Sequence, residues 1–417
     1  MTATLRRGWC PSLAVPMATG DGLLARLPPP GRTIGLNTFK SLCAAARAHG
    51  NGIVEVTARG SLQVRGLDDE STVRFAAEVA LLGIDGGDGP VLLAHPLSGL
   101  EAGEYADMLP LATDLRAALA AAPFVSRLAA KVSVVLDGAD ALHLDALNAD
   151  LRLRAVSADG RVIFHIALGG NGTNAVPLGA VAPEQAAACV LCLLEQLSMD
   201  APGGRMRDLV REGGVRPLRA ALAGLLIEIP APPVRPAAQW IGTHRLRSGQ
   251  VAVGLGLPFG HADASALMSL TDAAVVAGAA GFRTAPQRVL LAVELAPNAV
   301  AGFTAAAETL GFITGPTDPR RRIVACPGAP VCGSGEIPAR ALAPAVTQAI
   351  GDTLPGGALV HLSGCAKGCA HPGPAFLTVA GRDGTCDVLI DGRLQASVSP
   401  DELPERLAQL VAMAEVE

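Results

Sequence analysis

Four cysteines in the last quarter of the chain carry the clearest chemical signal. Cys326 and Cys332 form C-x5-C in "CPGAPVC", and Cys365 and Cys369 form C-x3-C in "CAKGC". A disulfide, a zinc knuckle and an iron–sulfur cluster could each use the second pair. The nine cysteines are an odd number in a chain of 417 residues, which argues against a disulfide framework and for metal binding. Two pairs of thiols on glycine-rich loops match the ligand set of a [4Fe–4S] cluster. Glycine lets backbone approach such a group closely and aim N–H groups at its sulfurs, while Pro327 and Pro330 stiffen the first loop. Zinc, which more often takes C-x2-C or C-x4-C spacings, is the runner-up.

Other reactive residues make weaker patterns. Cys189 and Cys192 in "AAACVLCLLEQL" share one face of an apolar helix and read as small buried hydrophobes. Cys386 lies in a strand-like run and reads as core. Cys10 follows Trp9 and defines no site alone. The eight histidines, at 49, 95, 143, 165, 244, 261, 361 and 371, form no facial-triad motif. His361 and His371 flank the cluster loop and read as hydrogen-bonding neighbours. Neither "GLGLPFG" nor "GGNG" is a strand-to-helix G-x-G-x-x-G, so no dinucleotide site is expected.

A chain of this length needs two to four structural units. The net charge of −5, with no basic block interleaved with aromatics, argues against a nucleic-acid surface. The first residues, "MTATLRRGWCPSLAVP", lack the apolar stretch of a signal peptide. No uninterrupted apolar run approaches the ~18 residues of a membrane span. A soluble cytoplasmic protein, with no membrane or nucleic-acid partner, is expected.

The elements that must position the cysteines come in a weak repeat. Residues 20–67 have a counterpart in 248–295: each reads as a strand, a proline–glycine loop, an amphipathic helix and a strand carrying Thr-Ala (Thr57-Ala58, Thr284-Ala285). A longer α+β stretch follows each. The first holds "FVSRLAAKVSVVLDG", "LRLRAVSADGRVIFHIALGG" and the helix "APEQAAACVLCLLEQL". The second holds "RRIVACPGAPVCGSG", a helix around 338–351, "ALVHLSGCAKGCAHPGPAFLTVAGRDGTCDVLIDG" and a last helix near 400–415. A proline-rich link lies at 229–237 ("IPAPPVRPA"). Duplication is the economical account.

"CPGAPVC…GCAKGCAHP" resembles the cluster motif of the sirohaem-dependent sulfite and nitrite reductases, and the duplicated order resembles that superfamily over nearly the whole chain. Within it, "RRGWCPSLAVPMATGDGLLARLPP", "TARGSLQVRGL" and "SGCAKGCAHP" look most like the precorrin-3B synthase family. The resemblance implies an α+β fold of duplicated ferredoxin-like half-domains plus two α+β sirohaem-reductase-like domains. The boundaries expected are 1–88 and 238–315 for the half-domains, 89–228 for the first long domain, and 316–417 for the second, which carries the cluster.

What the resemblance implies chemically is an oxygen-dependent monooxygenase. It would hydroxylate precorrin-3A at C20 and close a γ-lactone, using a [4Fe–4S] cluster on Cys326, Cys332, Cys365 and Cys369. A mononuclear non-haem iron is implied too, with NADH as electron source through a separate reductase. Arg26, Arg59 and Lys131 match positions that contact macrocycle carboxylates in the reductases, a task that suits guanidinium forks. The role of Arg65 stays open. Two departures point away from anion reduction: Ser133 stands where the reductases carry the second lysine of Lys-x-Lys, and no arginine shortly precedes "VLLAHPLSG". Lys367 stands where reductases often have asparagine. The alternatives are a sirohaem-dependent nitrite or sulfite reductase and a non-catalytic Fe–S electron carrier.

Overall fold

The computed structural model describes residues 11–84, 86, 87, 89–371 and 373–414; Trp9 and Cys10 lie outside the described residues. Four five-stranded sheets organise the chain. In the first, the spatial order is Met17–Thr19, Gly22–Leu27, Leu62–Leu67, Ile53–Val56 and His261–Asp263, every pairing antiparallel. Another antiparallel sheet repeats the plan with Gly242–Arg245, Val251–Gly256, Val289–Leu295, Gly281–Ala285 and Ile34–Gly35. The edge strands are exchanged. His261–Asp263 belongs to the second repeat but pairs with Ile53–Glu55 of the first, while Ile34–Gly35 makes the reciprocal crossing to Gly281–Phe282.

The exchange merges two half-sized cores into one, because each half alone buries too little apolar surface. In the helix Leu36–His49 the buried residues are Phe39, Leu42, Cys43, Ala45 and Ala46, a three-to-four spacing that makes one apolar stripe. It packs on the equivalent helix Ala264–Val276, and Phe39 meets Phe282 with ring centroids 4.8 Å apart. Buried residues of both repeats form a single cluster.

The two long stretches share a second plan. In the first, Val91–Ala94, Ser133–Asp137 and Ala149–Ala158 run parallel, then Arg161–Gly170 and Val176–Val181 follow antiparallel. In the second, Ile323–Ala325, Val360–Ser363 and Leu377–Arg382 run parallel, then Thr385–Ile390 and Arg393–Val398 follow antiparallel. Helices Leu109–Ala121 and Ala186–Asp200 cover the first sheet, and Ala339–Ile350 and Leu403–Ala414 the second. Cys189 is fully buried in the first core and Cys386 in the second, as their apolar settings imply. Burial pushes the Cys386 thiol up to about 11, so it stays protonated and inert. Among the described residues no helix is long and apolar enough to cross a membrane.

The proline-rich link is fastened rather than loose. Arg235 donates to Asp137 at 2.5 Å and to both oxygens of Asp145 at 2.8 and 2.9 Å. Burial alone would push the Asp145 carboxyl up, but Arg235, His143 and Arg152 outweigh it and hold it below its ordinary value.

Candidate functional site

The cysteine pairs lie at the carboxyl ends of two adjacent parallel strands. Cys326 directly follows Ile323–Ala325, and Cys365 follows Val360–Ser363 by one glycine. Such strand ends are where open α/β sheets leave room for ligands. The loops are knit together through backbone. The Gly364 amide donates to Cys326 Sγ at 3.0 Å, the Glu336 amide to the Gly364 carbonyl at 2.7 Å, and Lys367 Nζ to Ser334 Oγ at 2.7 Å. Burial pushes the Cys326 thiol up, while the amides of Gly364 and Gly328 oppose it. Gly364 is required: a Cβ there would stand 2.7 Å from Gly328 Cα and 3.4 Å from Cys326 Sγ.

All four thiols line one cavity of about 490 Å³, which Arg26, Arg65, Arg288 and Arg340 also line. Among the described residues, the trio of possible ligand atoms lying within 4.8 Å of one another is Asp137, His143 and Asp145, and no three of the thiols do. Tetrahedral zinc would draw its sulfurs to about 3.8 Å, given Zn–S near 2.3 Å.

A second cavity of about 570 Å³ adjoins, and Arg26 lines both. Arg59 and Lys131 line this second cavity, with Arg205 and Asn148, rather than the one holding the thiols. Arg59 donates to the Asn148 carbonyl and, at 3.4 Å, to Ser133 Oγ. Ser133 is fully buried. Lys131 precedes the strand Ser133–Asp137 rather than lying on it. Arg26 Nε donates to Gln63 Oε1 at 2.8 Å.

Sequence reasoning left Arg65 open and missed Glu55, Arg288 and Arg340. Arg65 donates to both oxygens of Asp21 and to the Val331 carbonyl, so it ties the first half-sheet to the first cysteine loop. A signal for it existed. Ser61, Gln63 and Arg65 alternate with Leu62 and Val64, which marks one polar face of a strand. Arg288 and Arg340 are isolated in sequence, and nothing there groups them.

The histidines divide. His371 bonds within its own loop, Nε2 lying 3.1 Å from the Pro374 carbonyl. His361 is buried with Nε2 unpartnered. Asp137, His143 and Asp145, although mutually close, face the guanidinium of Arg235, which satisfies both carboxylates. That trio does not fit a mononuclear iron, and His143 and Asp145 line a different, smaller cavity of about 210 Å³.

The duplicated plan places His95 after Val91–Ala94 where Cys326 follows Ile323–Ala325. The Gly138 amide donates to His95 Nδ1 at 3.1 Å, as the Gly364 amide does to Cys326 Sγ. There the resemblance of the copies ends. His95 Nε2 lies 3.0 Å from Glu104 Oε2, both side chains fully buried, so an internal histidine–carboxylate hydrogen bond stands in the first copy where thiols stand in the second.

Residues 15–82 match the family model for the nitrite/sulfite reductase ferredoxin-like half domain. A ferredoxin–nitrite reductase of Synechococcus elongatus is 24% identical over 94% of this chain and 86% of its own length. A solved structure of Mycobacterium tuberculosis NirA protein superposes with a TM-score of 0.78 at 20% identity, covering 94% of this chain and 80% of that one, which establishes the fold. A precorrin-3B synthase of Sinorhizobium sp is 37% identical over 94% of this chain and 84% of its own length. With that identity across nearly the full length, the chain belongs to the precorrin-3B synthase family, an oxidoreductase family of cobalamin biosynthesis built on the sulfite/nitrite reductase fold.

Proposed function

We propose that the protein is a cytoplasmic monooxygenase that converts precorrin-3A to precorrin-3B by hydroxylating C20 and closing a γ-lactone. One observation carries the reading: Arg26 joins a thiol-lined cavity to a cation-lined one. A polycarboxylated macrocycle bridging the two would put its ring beside the cysteines and its carboxylates on Arg26, Arg59 and Lys131. Cys326, Cys332, Cys365 and Cys369 would hold a [4Fe–4S] cluster, which when bound supplies electrons one at a time. The described cysteines are all free, in keeping with a reducing compartment.

The chain's own part is binding, orientation and exclusion of water. Gln63 holds Arg26 at the junction of the cavities, and the Asn148 carbonyl and Ser133 hold Arg59. Fixing both guanidinia before substrate arrives reduces the entropy lost on binding. One oxygen atom of dioxygen enters at C20 and the other leaves as water. NADH supplies the two electrons through a separate reductase, and a ring A acetate closes the lactone with its own oxygen. Among the described residues the mononuclear iron implied by family resemblance finds no fitting donor set beside these cavities, and no step is assigned to it.

The test uses anaerobically purified protein, a reductant and labelled dioxygen. Precorrin-3A should gain one labelled oxygen as the C20 hydroxyl, with the lactone ring oxygen unlabelled. Label from water, turnover without oxygen, or a sirohaem spectrum together with viologen-linked nitrite reduction would overturn the reading.

A further inference from the structure

The cavity that holds the thiols carries several cations, and most of them are already engaged. Arg65 is committed to Asp21 and the Val331 carbonyl. Lys367 is bound to Ser334, and Arg26 to Gln63. Arg340 Nη1 donates to Glu55 Oε1 at 2.5 Å. Gln63 Nε2 donates to the other oxygen of Glu55 at 2.5 Å, so both oxygens of that buried carboxylate already accept a hydrogen bond.

Arg288 is the exception. Its side chain lines the cavity and makes no hydrogen bond or ion pair with any of the described residues. Its titratable neighbours are Arg340, Glu55 and His361. Of these, Arg340 offers no acceptor, its Nε being buried without a partner, and His361 Nε2, also buried without a partner, makes no hydrogen bond to Arg288. Burial first, and then the repulsion of Arg340, hold the Arg288 guanidinium below its ordinary pKa. Glu55 offsets this only in part, and a partly desolvated cation with no hydrogen-bonded partner is stabilised when an anion joins it.

Backbone geometry aims the side chain deliberately. Gln287 and Arg288, in the hairpin between Gly281–Ala285 and Val289–Leu295, have φ of 60° and 66°, the left-handed region that ordinary residues avoid. The Leu257 amide fixes the Arg288 carbonyl at 3.0 Å. Gly260 leaves room for the side chain to pass, since a Cβ there would lie 2.6 Å from Arg288 Cδ. A strained turn, a carbonyl anchor and a glycine gap together deliver one unpaired guanidinium to the cavity wall.

We propose that Arg288, assisted by the buried Nε of Arg340, binds a carboxylate of the tetrapyrrole on the cysteine side of the cavity. This rests on the reading of the protein as a precorrin-3A enzyme. With Arg26, Arg59 and Lys131 on the far side, it would grip the macrocycle from two walls and set which edge faces the thiols. The planar guanidinium fork matches a carboxylate in two parallel bonds.

The experiment titrates precorrin-3A anaerobically into the cluster-loaded protein, comparing wild type with Arg288→Gln, Arg288→Lys and Arg59→Ala. Arg288→Gln should weaken the dissociation constant by roughly tenfold or more, with Arg288→Lys in between. The cluster absorbance should stay unchanged. Removing a half-buried charge that has no hydrogen-bonded partner should leave the melting temperature equal or higher, whereas a residue with only a structural role would lower it and leave affinity alone. Binding that weakens in Arg59→Ala but is indifferent to Arg288→Gln would overturn this assignment and leave the functional reading standing. No binding of precorrin-3A by the wild-type protein would overturn both.

Discussion

The amide of Gly364 points at Cys326 Sγ from 3.0 Å, so the two cysteine loops meet at a sulfur although 38 positions separate them in the chain. An amide aimed at sulfur stabilises the thiolate over the thiol, which is the form a metal cluster takes. The same amide-to-ligand geometry recurs at Gly138 and His95 in the other copy. The duplication therefore preserves the backbone cradle and changes the side chain that fills it.

Replacing Cys365 by serine should abolish or badly distort an iron–sulfur signal, because an alkoxide is a poorer ligand than a thiolate for a soft cluster. Cys189→Ser should leave it intact, since Cys189 is fully buried in the other core. Iron and sulfide content with visible absorbance measures both, and equal loss in the two variants would remove the cysteine assignment.

Gly364→Ala tests the cradle itself. The added methyl group would stand 2.7 Å from Gly328 Cα, and neither backbone can yield without parting the loops. Cluster occupancy should fall at least several-fold in protein that otherwise folds, as judged by circular dichroism. Full occupancy would show that the loops have more freedom than their hydrogen bonds imply.

Arg235→Met should destabilise the protein by about 3–5 kcal/mol, because Asp137 would remain buried without its ion-pair partner and Asp145 would keep only Arg152. Denaturant unfolding measures it. The double change with Asp145→Asn should recover part of the loss, which separates broken charge pairing from simple loss of packing.

Acid should weaken the fold through its buried histidines. Burial, and secondarily Arg154, holds the His165 imidazole neutral down to about 4, against 6.5 ordinarily. Between those values the unfolded chain binds a proton that the folded chain does not, so stability falls as pH drops from about 6.5 toward 4. For His165 the loss is on the order of 3 kcal/mol. His261 and His361, also lowered to about 4, act in the same direction. His165→Leu should flatten, without abolishing, the pH dependence of the denaturant midpoint over that range.

The sequence by itself determined the repeat, the paired thiols and the cationic residues of the first half. Those are local properties: apolar spacing sets helices and strands, and glycine, proline and cysteine mark loops that come close to a bound group. The buried settings of Cys189 and Cys386 were legible for the same reason. Only the tertiary structure decided what those residues face. The exchanged strands Ile34–Gly35 and His261–Asp263 fuse the half-sheets, and this brings the hairpin carrying Arg288 and the helix carrying Arg340 to the cavity that Arg26 and Arg65 line. It also sends Arg59 and Lys131 to the adjoining cavity, and closes Asp137, His143 and Asp145 around Arg235 from the proline-rich link. No periodicity encodes such meetings, because they join residues from about 90 to more than 260 positions apart through tertiary packing.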